Sequence, residues 1–238
     1  MAGDPLLARA REVWLEMSGV AMAFPAVGGV AVAVSARSLL CPPGWVGIVA
    51  LGDAAIVTVS ADSWAGIVRE GLRGLPLEAL SDADRLCAVL PVTEVLGPTS
   101  LAYLDECDFK PAGFDTVEVL PAGHADLAAL LASVPVDDAD ECGLADITSD
   151  AFVVRHGNDV VAAAGYRRWP GAAHMCVLTE TSQRGRGLAR AVASAAVADG
   201  LANHLLPQWR ARPEPSRRVA RALGFCHLGA QLSIRIET

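Results

Sequence analysis

Lysine is nearly absent from this chain of 238 residues: Lys110 is the only one, against 18 arginines. Aromatic residues make up 5% and include two tyrosines. The arginines are not interleaved with aromatics and the net charge is −8, a balance that argues against nucleic acid as a partner. Cysteine pairing patterns are missing too. Cys41, Cys87, Cys107, Cys142, Cys176 and Cys226 form no CxxC and no close Cys/His cluster. That implies neither a zinc site nor a disulfide framework, and fits reduced thiols in a cytoplasmic protein. No stretch approaches the ~18 unbroken apolar residues of a membrane span. Val20 to Leu40 comes nearest, but Pro25, Gly28, Gly29, Ser35 and Arg37 divide it. The N-terminal Met-Ala-Gly-Asp-Pro is acidic rather than basic, so neither a leader peptide nor a span is expected there.

What is present suffices for a large core: 53% of residues are hydrophobic and 19% charged. The length exceeds the ~100–150 residues of one typical domain, and two units are expected. Charge divides unevenly between them. Residues 1–150 hold 7 basic and 22 acidic side chains, whereas 151–238 hold 12 basic and 5 acidic. The C-terminal part can therefore attract an anion, and the N-terminal part repels one.

Asp4-Pro5 provides an N-cap followed by proline, and Leu6, Leu7, Ala10, Val13, Trp14 and Met17 recur at helical spacing. Gly29 to Ser35 reads as a strand. Val46 to Leu51 and Ala54 to Ser60 form a hairpin around Gly52-Asp53. Ser63 to Leu72 and Ser81 to Leu90 read as helices, and Gly97-Pro98 as a break before Leu101-Ala-Tyr103-Leu. Residues 1–110 are thus a small α/β domain without a chemical motif. Asp105 to Gly113 is charged, ends in breakers, and reads as a linker. From Phe114 a second domain, 114–238, is expected: a strand Thr116 to Leu120, helices His124 to Val134 and Asp137 to Ile147, a hairpin 151–155 and 159–168, and a strand His174 to Thr179. Arg184-Gly-Arg-Gly187 and an alanine-rich helix from Leu188 follow. After them come a strand near Leu205 to Ala211, a helix Arg217 to Leu223 capped by Ser216, and a closing strand Leu228 to Ile236.

A helix start preceded by glycines and arginines is an anion site, because its first N–H groups lack partners and the helix dipole is positive there. Arg184-x-x-Gly187-x-Ala189, at a strand-to-helix junction, resembles the acyl-CoA pyrophosphate loop of the GNAT N-acyltransferase superfamily. With Leu223-Gly224-Phe225 and the order of elements, the resemblance runs from Val117 to Ile236. It implies an α/β fold with a mixed sheet, preceded by a smaller α/β domain that is either unrelated or a degenerate copy of the same fold.

The function implied is transfer of an acetyl group from acetyl-CoA to an amine by direct attack. Val177, Leu178 and Thr179 would meet the pantetheine arm, and Arg184, Gly185, Arg186, Gly187, Leu188 and Ala189 the pyrophosphate. The amine must lose a proton, the oxyanion needs a donor and the departing thiolate a proton. Candidate catalytic groups are Glu180, His174 and Ser216, each with a plainer reading: an ion-pair partner for Arg184 and Arg186, a packed strand residue, and a helix cap. Glu141, Asp146, Asp150 and Trp209 are candidates for a small cationic acceptor, with a solvated helix face as the plainer reading of the acidic residues. No metal is implied. The sequence departs from the family pattern at Ala220, where a tyrosine acid often stands, and at Pro213. Both favour the alternative of a silent CoA-binding module.

Overall fold

A computed structural model describes residues 4–113 and 117–237. In chain order the elements are α1 (Pro5–Met17), β1 (Val30–Val34), β2 (Val46–Leu51), β3 (Ala54–Val59), α2 (Asp62–Leu72), α3 (Ala83–Cys87) and β4 (Val92–Tyr103). Then follow β5 (Glu118–Leu120), α4 (Ala125–Ala132), α5 (Val136–Cys142), β6 (Ala151–His156), β7 (Asp159–Trp169), β8 (Ala172–Thr179), α6 (Leu188–Ala202), β9 (Leu206–Ala211), α7 (Glu214–Leu223) and β10 (Cys226–Ile236). Two compact units result: residues 1–102 with 227–238, and residues 103–226. The linker read at 105–113 lies just past the first division, and Phe114 and Thr116 lie outside the described residues. The closing strand read as part of 114–238 counts instead with the first unit, because it is hydrogen-bonded there.

In the first unit the strands run β1-β3-β2-β10-β4. β1 is parallel to β3, while β2 is antiparallel to β3 and to β10. Val46, Ile48, Val57 and Val59 pack with Leu232, Ile234 and Ile236 of β10 and with Val68, Leu72, Leu80 and Leu86. Asp4 caps α1 by accepting from the Leu6 and Leu7 amides, as its position before Pro5 predicts. Two readings change. Gly97-Pro98 does not interrupt β4, because Gly97 adopts φ 116° where the strand runs close to the Gln231 carbonyl. The helix expected over 81–90 is instead a 3-10 turn at Leu77–Ser81 followed by the short α3, with Asp82 accepting from the Asp84 and Arg85 amides between them.

The second unit has the order β5-β6-β7-β8-β9, antiparallel except for the parallel β8–β9 pair. Its two faces carry different helices. Cys176 and Leu178 of β8 pack with Leu127, Leu130, Leu144 and Ile147, so even-numbered β8 residues face α4 and the segment after α5. The odd face meets α6: Gly200 closes on Ala173, and the Tyr166 hydroxyl donates to Asp199 at 2.7 Å. α7 ends at Gly224, where φ is 101° and a Cβ would lie 2.0 Å from the Asp108 carbonyl oxygen. Glycine is therefore required in Leu-Gly-Phe for both conformation and space. Among the described residues, no helix is long and apolar enough to cross a membrane.

Candidate active site

β8 and β9 pair only from Ala172/Leu206 to His174/Gln208 and then separate, while β8 stays paired to β7 as far as Thr179. Among the described residues, one edge of Met175 to Thr179 has no neighbouring strand. Backbone direction alternates along a strand. The Glu180 amide donates to the Val161 carbonyl of the β7 side at 2.9 Å, and the Thr179 carbonyl accepts from Arg184 Nε on the opposite side at 3.3 Å. Residues 175, 177 and 179 accordingly turn their N–H and C=O groups into the gap. Val177 and Thr179 lie on this open edge. Leu178 does not: its backbone faces β7 and its side chain is core.

The loop at the far end of the gap is open. Gly185 and Gly187 both have φ 81°, the left-handed region glycine tolerates. Gly187 is the N-cap of α6, and the first intrahelical bond runs from the Ala191 amide to its carbonyl. The Leu188, Ala189 and Arg190 amides are therefore the unpartnered donors of this helix start. Arg184 and Arg186 are exposed beside them. Arg184 bridges to Asp138 of α5 at 2.7 Å, and Arg186 donates to the Gln183 amide oxygen. The Arg184 partner is thus Asp138, which the sequence alone did not single out, and not Glu180.

The candidate catalytic groups fare unequally. Glu180 accepts from the Ser182 hydroxyl at 2.8 Å. It stands six residues beyond His174, and at about 3.3 Å per residue that places it roughly 20 Å from where the strands part, beside the loop. His174 stacks on Trp169, with centroids 4.3 Å apart and planes 12° apart, and its Nδ1 is 2.6 Å from Gln208 Oε1. Burial first, then the positive charges of Arg210 and Arg167, push its pKa down to about 3. It is neutral at pH 7 and a poor proton acceptor. Ser216 is not the helix cap. α7 begins two residues earlier, with Pro213 as its N-cap, and the Ser216 hydroxyl accepts from Trp209 Nε1 at 3.0 Å. Trp209 is buried, its ring edge-on against Phe225. Burial pushes the Cys176 thiol up to about 12, which leaves it an inert core residue.

Of the acceptor candidates, Glu141 is held by Arg212, whose Nε donates at 3.0 Å, and Asp146 lies 3.8 Å from Arg167. Asp150 is exposed just before β6. Ala220 is buried in α7, so no donor replaces the tyrosine often found there. Sequence reasoning passed over Gln208. The signal available was its place beside Trp209 inside an otherwise apolar strand, a polar residue on a face that apolar ones would fill. Among the described residues, no cluster of metal-binding side chains occurs.

Residues 151–230 match the family model described as GNAT acetyltransferase. That stretch holds the hairpin β6–β7, the open edge of β8, the glycine loop and α7. Nothing among curated proteins matches the chain. Solved structures similar to it include a GNAT-family acetyltransferase from Novosphingobium aromaticivorans DSM 12444, at 23% identity and a TM-score of 0.50, covering 60% of this chain and 65% of that one. Another is a GCN5-related N-acetyltransferase from Kribbella flavida, at 16% identity and a TM-score of 0.50, covering 66% and 64%. The chain therefore spans just under two thirds of the length of each. The likeness is one of fold, and the GNAT fold lies in the C-terminal half.

Proposed function

We propose that this protein transfers an acetyl group from acetyl-CoA to a small amine that arrives as a cation. The observation that carries the reading is the gap between β8 and β9, which opens after His174 and Gln208 and leads along the open edge of β8 to the glycine loop. In this reading the pantetheine arm lies in the gap as an additional strand on Val177 and Thr179, and the pyrophosphate rests on the α6 N-terminus with Arg184 and Arg186. The thioester then reaches the parting of the strands. There the amine nitrogen, having released its proton to water, attacks the carbonyl carbon. A gap-facing N–H of β8 stabilises the oxyanion, the C–N bond forms, the nitrogen gives its second proton to water, and as the C–S bond breaks the departing thiolate takes a proton from solvent. The enclosure of His174, the remoteness of Glu180 and the internal bond of Ser216 all favour direct attack without a dedicated side-chain acid or base. Exposed Asp150 supports an ammonium acceptor, whereas Glu141 and Asp146 already have arginine neighbours. Six cysteines without a disulfide fit a cytoplasmic location, where acetyl-CoA is made.

Incubation with acetyl-CoA and a library of amines, read by release of free thiol, tests this. Turnover is expected for at least one amine class. Acetyl-CoA binding without thiol release on any amine favours the second reading, a silent CoA-binding module, which Ala220 and Pro213 motivate.

A further inference from the structure

Where β8 and β9 part, on the face turned toward α5, the second unit gathers donors of which two, Gln208 Nε2 and Arg210 Nε, have no acceptor among the described residues. Gln208 pairs with His174 and so shares its face, and Arg210 and Arg212 follow on that face by strand alternation. The Arg212–Glu141 bridge to α5 confirms the direction. Gln208 is fully buried and its amide oxygen is taken by His174, which leaves Nε2 without a partner. Arg210 lies over the Trp169 ring, 5.8 Å from its centroid, and its Nε is likewise buried without a partner. Among the described residues Arg210 forms no ion pair, and burial lowers its pKa. Arg167, opposite His174 on β7, adds a second guanidinium.

A buried guanidinium without an anion is costly, because desolvation is not offset by pairing. The carboxylates that could neutralise it are engaged elsewhere: Glu141 with Arg212, Asp138 with Arg184, and Asp146 beside Arg167. His174 cannot serve as the anion, being at most a neutral acceptor. Arg210 and His174 retain partial exposure, although the Gln208 Nε2 and Arg210 Nε atoms themselves are buried. Such an arrangement suits a planar anion: a fork of guanidinium N–H groups plus one amide N–H, with an aromatic ring holding the guanidinium plane.

We propose that the acceptor carries a carboxylate beside its amine, an amino-acid-like molecule, and that Arg210 with the Gln208 amide recognises that carboxylate. This rests on the acetyl-transfer reading above for its location: the donor cluster adjoins the parting of the strands, where the thioester would lie. The carboxylate neutralises Arg210, while the amine of the same molecule points along the gap. The cationic character expected of the acceptor then belongs to its ammonium group and not to its net charge.

The test compares amino acids with their carboxamides as acceptors for the wild-type protein, Arg210→Gln and Arg210→Lys, read by thiol release. In parallel, calorimetry measures binding of N-acetylglycine and N-acetylglycinamide, and acetyl-CoA affinity checks that each variant is folded. The expected result is a kcat/KM at least tenfold higher for free carboxylates than for carboxamides, abolished in Arg210→Gln and only partly kept in Arg210→Lys, with acetyl-CoA affinity unchanged. Equal or better use of carboxamides or polyamines by the wild type overturns the inference, as does a carboxylate preference that survives Arg210→Gln. If no amine is acetylated, acetyl transfer fails, and the calorimetry decides anion recognition separately. N-acetylglycine binding lost in Arg210→Gln supports it, and the absence of any difference from N-acetylglycinamide ends it.

Discussion

His174 couples the stability of the second unit to pH through a plain sign. In the folded chain its pKa is about 3, and in the unfolded chain it is near the ordinary value of about 6.5. The unfolded state therefore takes up the proton first. Neutral His174 contributes its full stabilisation above about pH 6.5 and loses it progressively as pH falls toward 3, by up to about 1.4 kcal/mol per pH unit. Urea unfolding at pH 7 and pH 4.5 should show a steeper loss for the wild type than for His174→Gln, which has nothing to titrate at this position. Equal losses in both would sink the buried-neutral account. The sequence could show that position 174 holds a histidine on a strand. It could not show the stacking on Trp169, which depends on the register of the β7–β8 hairpin, or the bond to Gln208, 34 residues further on, and those partners decide whether the imidazole is a base or a packed ring.

At the scale of elements, the strand β8, the glycine loop and α6 were legible because their signals are local. Apolar β-favouring residues, left-handed glycines and alanine-rich helix formers each act within a few positions. The gap was not legible, since it depends on where β9 leaves β8 and no short-range pattern records that. Ser216 shows how local logic can mislead: serine before an arginine-rich segment is a good cap, but Pro213 starts α7 earlier and Ser216 becomes a partner for Trp209. The loop itself gives a direct prediction. Arg184→Ala with Gly187→Ala removes a charged donor and forces a Cβ into φ 81°, tilting the first amides of α6. A charge-assisted bond is worth about 1.5–3 kcal/mol, so acetyl-CoA affinity should fall by about 10- to 100-fold or more in calorimetry, with far-UV circular dichroism unchanged. An unaltered affinity would remove the loop from the cofactor site. Asp138 moderates this expectation, because Arg184 must exchange that exposed carboxylate for phosphate, a swap that costs little for a solvent-exposed pair.

Across the whole molecule, the chain closes in a place that sequence order alone does not suggest. β10 follows α7 directly, and reading along the chain assigns it to the unit it follows. Its antiparallel bonds to β2 run from Gly229/Leu51 to Ile234/Val46, and Leu232, Ile234 and Ile236 fill the core of the first unit. Long-range pairing of residues about 180 positions apart leaves no mark on local composition, whereas alternation along β10 correctly marked it as a strand. If the closing strand is a core element of the first unit, truncating a buried side chain in it should weaken that unit first. Ile234 is fully buried, and Ile234→Ala should cost about 2–5 kcal/mol through lost burial and the cavity left behind. Hydrogen exchange followed by mass spectrometry should then show faster exchange in β2 and β3, residues 46–59, than in β6 to β8, residues 151–179. Loss of protection in 151–179 with 46–59 unchanged would assign β10 to the other unit. Because the open edge of β8 lies in the second unit, the same variant should bind acetyl-CoA with nearly wild-type affinity at a temperature where the first unit is still folded. A parallel loss of binding there would mean that the closing strand also supports the site.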